Sequence, residues 1–241
     1  MGQTEDCREN DLALFEARQA VYGLLARWWA EPLDEVAWSV VSSSSWETVL
    51  AAFDNAALQE GESLADRYAD VLCAVDRIGL ERARAAFNWC FMGIGTKVAP
   101  WESVYVTGER LIMQPSTLAV REAYAEAGFA ARNKGSEPDD HIATECDFMA
   151  KMAERAIGAL AAGDEGVCAD TLHASRVFLN DHLGRRASDF ARAFEQAAVK
   201  ARSCDGERVA DALAVYGALA RFGEQFFGAD GRLLEEFSCG E

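Results

Sequence analysis

Residues 10–32 read NDLALFEARQAVYGLLARWWAEP, and this stretch decides the fold class. Its large apolar residues recur at spacings of three and four, the repeat of one helix face. They are Leu14, Phe15, Val21, Tyr22, Leu25, Trp28 and Trp29. Asn10 or Asp11 is suited to cap the start of this helix, and Glu31-Pro32 is expected to end it because proline disfavours helical backbone before it.

The same repeat continues through most of the chain, so we predict further helices. They begin at the capping-box spacing Ser44-Ser45-Trp46-Glu47 and then run from Leu58 to Val75, Leu80 to Phe91, Pro115 to Gly128, about Asp139 to Ala162, Asp164 to about Leu183, about Ser188 to Ala201 and Glu207 to Phe227. The tail from Gly228 is expected to be loosely held.

Strands and helices do not alternate anywhere in this pattern, which predicts an all-α fold. We expect one globular helical bundle of about nine or ten helices. The single domain would span residues 1–241, with an N-terminal lobe at about 10–128 and a C-terminal lobe at about 139–227.

Charge narrows the class of partner. The 241 residues include 40 acidic and 23 basic side chains, for a net charge of −17, which disfavours nucleic acid and favours cationic partners. Residues 1–10 lack the pattern of a secretory leader, and no apolar run approaches the ~20 residues of a membrane span. We therefore expect a cytoplasmic protein without stable membrane insertion.

Motifs for chemistry are scarce. The seven cysteines are scattered without a C-x-x-C pair, so we expect reduced thiols and no structural metal cluster. Gly93-Ile94-Gly95-Thr96-Lys97 lacks the spacing and the preceding strand of a phosphate-binding loop. No serine or cysteine has a recognisable base, so we predict neither catalysis nor a cofactor.

The densest polar cluster is Glu137-Pro138-Asp139-Asp140-His141, followed by Glu145. His141 and Glu145 share a helix face and could hold a divalent metal with one aspartate, although His173 and His182 add no metal-binding spacing. Alternatively, Asp139 or Asp140 caps the helix and His141 bonds to Glu145. A third interpretation places the carboxylates beside a groove that binds cationic peptide groups.

A second stretch that could carry function lies in the loop from Gly93 to Ser103. Trp101 follows Pro100 there, where an aromatic ring with a polar N–H can anchor a ligand or simply plug the core. The residues alone leave both interpretations open.

These two stretches together resemble a known family. Residues 100–105, PWESVY, and residues 137–149, EPDDHIATECDFM, are similar to the TorD/DmsD family of redox-enzyme maturation chaperones. The resemblance extends over most of the chain in the family's order, from Arg18 and Tyr22 to the late segment FLNDHL at 178–183.

The resemblance implies a helical chaperone, not an enzyme. Such a protein binds the twin-arginine leader and the apo form of a molybdopterin oxidoreductase of the dimethyl-sulfoxide-reductase type, assists cofactor insertion and delays export until the client is folded. The alternatives are a nitrate-reductase-type assembly chaperone for a cytoplasmic subunit and a metal-dependent helical enzyme centred on His141 and Glu145. A monomer and a dimer fit the sequence equally well.

The resemblance also implies a peptide-binding region at Trp89, Met92, Pro100, Trp101, Pro138, Asp140 and His141. Trp89, Met92 and Trp101 could form its apolar floor. Asp139, Asp140 and Glu145 could meet the leader's arginines. Cys146, where the family usually has leucine, and Gly95-Thr96-Lys97, in place of a Gly-Pro context, are departures that could change which leader fits.

Overall fold

The computed structural model describes residues 2–56, 63–92, 98–106, 111–131, 137–204 and 206–239, without the side chains of 2–7, 208, 238 and 239. Within these ranges the helices are α1 (Gly2–Ala30), α2 (Glu35–Val41), α3 (Ser45–Ala56), α4 (Leu64–Ile78), α5 (Leu80–Phe91), α6 (Ser103–Val106), α7 (Pro115–Glu126), α8 (Ile142–Ala162), α9 (Glu165–Phe178), α10 (Gly184–Cys204) and α11 (Glu207–Cys239).

The predicted all-α fold is confirmed. One isolated antiparallel β-bridge, between Trp101 and His141, has both of its ends within the described ranges. No described helix is both long and apolar enough to traverse a bilayer. The described cysteine side chains are free thiols, namely Cys73, Cys90, Cys146, Cys168 and Cys204.

Packing between helices from distant parts of the sequence forms the core. Helix α1 lies along α8, and α11 packs against α10 and α4. Aromatic rings fill the centre, where Trp29 of α1 lies 5.1 Å from Phe190 and 6.1 Å from Tyr216 between ring centroids. The division into lobes at about 10–128 and 139–227 stays a prediction.

Several predicted helix ends are confirmed. Helix α1 ends at Ala30, just before Glu31-Pro32, and α5 has the predicted bounds. The Asp164 side chain caps α9 by accepting a hydrogen bond from the Val167 amide at 3.0 Å. Gly163 ends α8 at φ 74°, a left-handed conformation that favours glycine.

The start of α1 differs from the prediction. Neither Asn10 nor Asp11 begins the helix, which already starts at Gly2. The Arg8 guanidinium donates a hydrogen bond to the Leu160 carbonyl near the end of α8. This contact ties the polar first turns of α1 to a neighbouring helix, which a search for an apolar stripe does not detect.

The predicted break between the helices ending near Leu183 and beginning near Ser188 is also wrong. A π-helical turn, Leu179–Leu183, joins α9 directly to α10. A Cβ at Gly184 would lie 2.9 Å from the Leu179 carbonyl oxygen, so this close approach requires glycine.

The tail from Gly228 is not loosely held. Helix α11 continues to Cys239, and Ala229, Asp230, Leu233 and Leu234 are buried. The Asp230 carboxylate accepts hydrogen bonds from Arg18 Nε at 2.5 Å and from the Tyr22 hydroxyl at 2.7 Å. A buried ion pair between α1 and α11 therefore fixes the segment.

Two short helices were not predicted. Asp34 caps α2 by accepting a hydrogen bond from the Ala37 amide at 2.7 Å. Residues 104–106 look β-like in sequence but belong to α6. The helix predicted to run from Leu58 is described from Leu64, where the Ser63 side chain caps α4. Leu58 itself and the Gly93–Lys97 segment lie outside the described residues.

The Arg18–Asp230 pair can be tested by Asp230→Ala. The substitution leaves a buried guanidinium without its counter-charge, so we expect a loss of roughly 3–5 kcal/mol in the free energy of unfolding. Glu31→Ala, which breaks the exposed Arg27–Glu31 pair, should cost under about 1 kcal/mol. Urea unfolding measures both, and equal losses would contradict the assignment.

Candidate functional site

Two segments of the chain are joined at the candidate site. The Glu102 amide donates to the Asp140 carbonyl at 2.9 Å, and the Ile142 amide donates to the Pro100 carbonyl at 2.9 Å. The Ser103 amide adds a bond to the Asp140 carboxylate at 2.7 Å. The two motifs singled out in the sequence, 37 residues apart at this contact, therefore form one structural unit.

His141 is the N-cap of α8, a position that the sequence analysis assigned to Asp139 or Asp140. Its Nδ1 accepts a hydrogen bond from the Ala143 amide at 3.1 Å, and its Nε2 lies 3.6 Å from the Glu137 carboxylate, not beside Glu145. Burial and the nearby Arg186 charge lower the pKa of His141 to about 4. The neutral imidazole suits the role of acceptor at a helix start.

Arg186 of α10 bonds to both of the joined segments. Its Nη1 donates to the Pro100 carbonyl at 3.0 Å, and its Nη2 donates to the Glu145 carboxylate at 2.7 Å. Beside it, His182 Nδ1 lies 2.9 Å from Glu102 Oε2. The side chains of Arg186 and Glu145 are at most 1% exposed, so this pair is screened from water.

The electrostatics of this buried cluster are unusual. Burial raises the pKa of Glu145 to about 8, although Arg186 opposes the shift, while the charges of Glu102 and Asp140 add to it. The charges of Glu145, Glu102 and Asp140 all act on Arg186, but Glu145 is the carboxylate that accepts the hydrogen bond from its Nη2. Glu145 Oε1, Asp140 Oδ1 and Arg186 Nε have no hydrogen-bond partner within the described part of the chain.

Asp139 has internal partners as well. Arg121 Nε donates to its carboxylate at 2.7 Å, and the Tyr124 hydroxyl donates to its carbonyl at 3.2 Å. Asp139, Asp140 and Glu145 are thus buried and engaged, and in this arrangement none of them faces a peptide directly. Their role in peptide binding stays a prediction. In this geometry they would act indirectly, by holding in place the turn at residues 137–141.

The apolar floor of Trp89, Met92 and Trp101 stays a prediction, and the structure shows where each of these side chains lies. The Trp101 ring is half-buried and lies edge-on to His141, 6.3 Å between centroids. Pro100 is buried, Trp89 packs partly buried against the core, and Met92 is 65% exposed at the end of α5. Trp101 contacts His141 of the turn at residues 137–141.

An open groove runs beside the turn, between α1 and α8. We call it the α1–α8 groove, and its volume is about 400 Å³. Small residues of α1 form one wall: Gly23, Ala26 and Ala30. Aromatic rings line the apolar part: Tyr124, Phe129 and Phe148. Of the predicted site residues, Pro138 lines this groove.

The charged rim of the α1–α8 groove consists of Glu137, Asp147, Arg27 and Lys151. Arg27 is already paired with Glu31. Asp147 is exposed and has no ion pair with any described residue. The exposed carboxylates are therefore Glu137 and Asp147. Glu137 belongs to the acidic cluster that one interpretation of the sequence placed beside a groove, whereas Asp147 was not singled out.

Two kinds of functional residue were missed. Arg186, Glu102 and His182 act through long-range contacts that carry no local signal. The groove wall had a weak signal, because Gly23, Ala26 and Ala30 recur at spacings of three and four on the face of α1 beside its large apolar stripe.

The metal alternative gains no support from this geometry. His141 Nδ1 is bonded to the Ala143 amide, and the Glu145 side chain is bonded to Arg186. Across the described ranges, no group of three or more His, Cys, Asp or Glu side chains is placed to hold a metal ion.

Comparison of the sequence with known protein families gives a match. The family described as nitrate reductase delta subunit matches residues 49–192, more than half of the chain. The matched range contains both motifs of the turn and the buried pair formed by Glu145 and Arg186. No curated protein matches the sequence.

The raised pKa of Glu145 predicts a specific pH dependence. Between about pH 5 and pH 8 the unfolded chain ionises this carboxyl while the folded protein keeps it protonated, so the stability of the wild type relative to Glu145→Gln should fall as pH rises. Urea unfolding across this pH range measures the difference in free energy of unfolding between the two proteins. Both contain His141, so its contribution cancels in that difference.

Glu154→Gln, at an exposed position of the same helix, is the matched control and should show no such trend. A wild type that gains stability relative to Glu145→Gln as pH rises would contradict the assignment, because it would mean that the ionised form is preferred in the folded protein.

Proposed function

We propose, because the chain belongs to the nitrate reductase delta subunit family of redox-enzyme maturation chaperones, that it binds the twin-arginine leader of a molybdopterin oxidoreductase. The family makes it a molybdoenzyme assembly chaperone. In the proposed role it engages the leader and apo form of a client of the dimethyl-sulfoxide-reductase type and delays export until the cofactor is inserted.

The observation that carries the proposal is the combination of surfaces in the α1–α8 groove. A twin-arginine leader has a cationic beginning and a moderately apolar, helix-prone middle. The groove offers an apolar lining of Tyr124, Phe129 and Phe148, next to the exposed carboxylates of Glu137 and Asp147. An amphipathic helix in such a groove buries its apolar face while its arginines reach the rim.

The turn at residues 137–141 is proposed to contribute by holding one end of the α1–α8 groove in place. His141 and Pro138 join the end of the groove to the Arg186 cluster, so the buried charges set where Glu137 stands. Trp101, next to His141, and the exposed Met92 are proposed to contact parts of the client outside the groove. The proposal needs no catalytic residue and no cofactor.

A second candidate is supported by the description of the matching family. A nitrate-reductase-type assembly chaperone would act on a subunit that has no exported leader. The two candidates separate in one experiment, in which the client subunit is offered with and without its first segment. Loss of binding on removal of a twin-arginine leader supports the first candidate, and unchanged binding supports the second.

Gly23→Leu tests whether the groove is the binding site. A Cβ at Gly23 meets nothing within 4 Å, so a leucine can fill the groove without displacing the protein. We expect leader binding to weaken by at least about tenfold, or ~1.4 kcal/mol, in calorimetry with the leader peptide of the client.

Gly158→Leu is the matched control, since a Cβ there also meets nothing within 4 Å and the residue lies outside the groove lining. Binding that is equally strong in Gly23→Leu and the wild type would place the leader elsewhere.

Asp147→Lys tests the charged rim. We expect this substitution to weaken binding of the leader. The loss should be smaller for a leader whose two arginines are replaced by glutamine, because that leader has no arginine to pair with Asp147. Asp76→Lys, an exposed position on α4, changes the net charge by the same amount and should leave binding within about twofold. Equal effects of the two substitutions would indicate diffuse attraction only.

A further inference from the structure

A second groove lies on the opposite side of Phe148. It runs between α7 and α9 above α8, has a volume of about 530 Å³, and is called here the α7–α9 groove. Phe148 lines both grooves and is only 5% exposed, so its ring separates them. The proposed leader site does not include this second surface.

The α7–α9 groove has an apolar stripe that no described element covers. On α9, Val167, Ala174 and Val177 line the groove, and both valines are 44% exposed. They recur at spacings of seven and three, one face of the helix, while Cys168 and Leu172 face the core instead. From Val167 to Val177 this face extends about 15 Å, the length of a short helix of about ten residues.

Two carboxylates and one guanidinium line the walls of the α7–α9 groove, so the fixed charge of these side chains is net negative. Glu126 on α7 and Asp170 on α9 line opposite walls, and neither forms an ion pair with a described residue. The guanidinium, Arg155, is held in place by neutral groups: its Nη2 donates to the Ala127 carbonyl at 2.9 Å, and its Cζ lies 5.0 Å from the centre of the Phe129 ring.

The two histidines in the lining do not change this balance in favour of an anion. His182 is held against Glu102, 2.9 Å between Nδ1 and Oε2, and His173 stands one turn from Asp170 on α9. A second copy of the chain is a poor occupant, because each copy carries a net charge of −17 and brings the same acidic walls.

We propose that the α7–α9 groove is a docking site for a basic amphipathic helix of a partner protein, separate from the leader site. Its apolar residues contact Val167 and Val177, and its lysines or arginines pair with Glu126 and Asp170 on either side. The inference does not depend on what occupies the α1–α8 groove.

The test uses a fluorescently labelled helical peptide of about ten residues, with leucines on one face and lysines at both edges. Binding is followed by anisotropy at physiological salt in the full chain carrying Gly23→Leu, so that the α1–α8 groove, which is proposed to accept helices of similar chemistry, is filled. We expect Val177→Glu to weaken binding at least tenfold. Val199→Glu, a 64% exposed valine on α10 outside the groove, should leave binding within twofold.

Gly23→Leu identifies the groove used. Because that substitution fills only the α1–α8 groove, the peptide should still bind, and its loss would overturn the proposal. Equal weakening by Val177→Glu and Val199→Glu would also overturn it, since both changes would then act through net charge alone.

A charge exchange keeps the test decisive if Val177→Glu does not fold. Glu126→Lys combined with Asp170→Lys should lose the lysine peptide and bind a version in which glutamate replaces every lysine. Both substitutions lie at the groove wall, so far-UV circular dichroism should remain unchanged. Failure of the glutamate peptide to bind the folded double variant would count against the proposed docking site.

Discussion

The buried guanidinium of Arg186 is the interaction on which the candidate site depends. Moving a charge out of water costs several kcal/mol unless partners replace its hydration, and here Glu145 and the Pro100 carbonyl do so. Arg186 lies on α10, Glu145 on α8, and Pro100 just before α6. One side chain therefore joins three parts of the chain. The Trp101–His141 bridge and the end of the α1–α8 groove are positioned as a result.

The two stretches that form the candidate site could be identified from the sequence, but the burial of their carboxylates could not. The EPDDH and PWESVY stretches are dense in polar and aromatic residues, and they do meet. One interpretation of the sequence placed Asp140 and Glu145 against a cationic ligand, whereas both side chains are buried. Whether a carboxylate is exposed depends on partners far along the chain, such as Arg186, 41 residues from Glu145. Local spacing does not contain that information.

Helical periodicity, in contrast, is a local property of the sequence, and it predicted the fold class. A core-facing stripe is a local signal, so α5 and the body of α8 were recovered with accurate bounds. The signal fails where a helix continues without a strong stripe or changes its pitch. The π-helical turn at Leu179–Leu183 shifts the phase, and the glycines of α11 weaken its pattern near Gly228. Tertiary contacts, not propensity, extend both helices.

The pairing of α1 with α11 has a consequence for biosynthesis. Arg18 and Asp230 are separated by 212 residues, so α1 leaves the ribosome long before its counter-ion has been synthesised. During that interval the cation and the aromatic face of α1 must stay solvated or form temporary contacts. Final closure of the bundle through this ion pair is therefore a late event, which follows synthesis of nearly the whole chain.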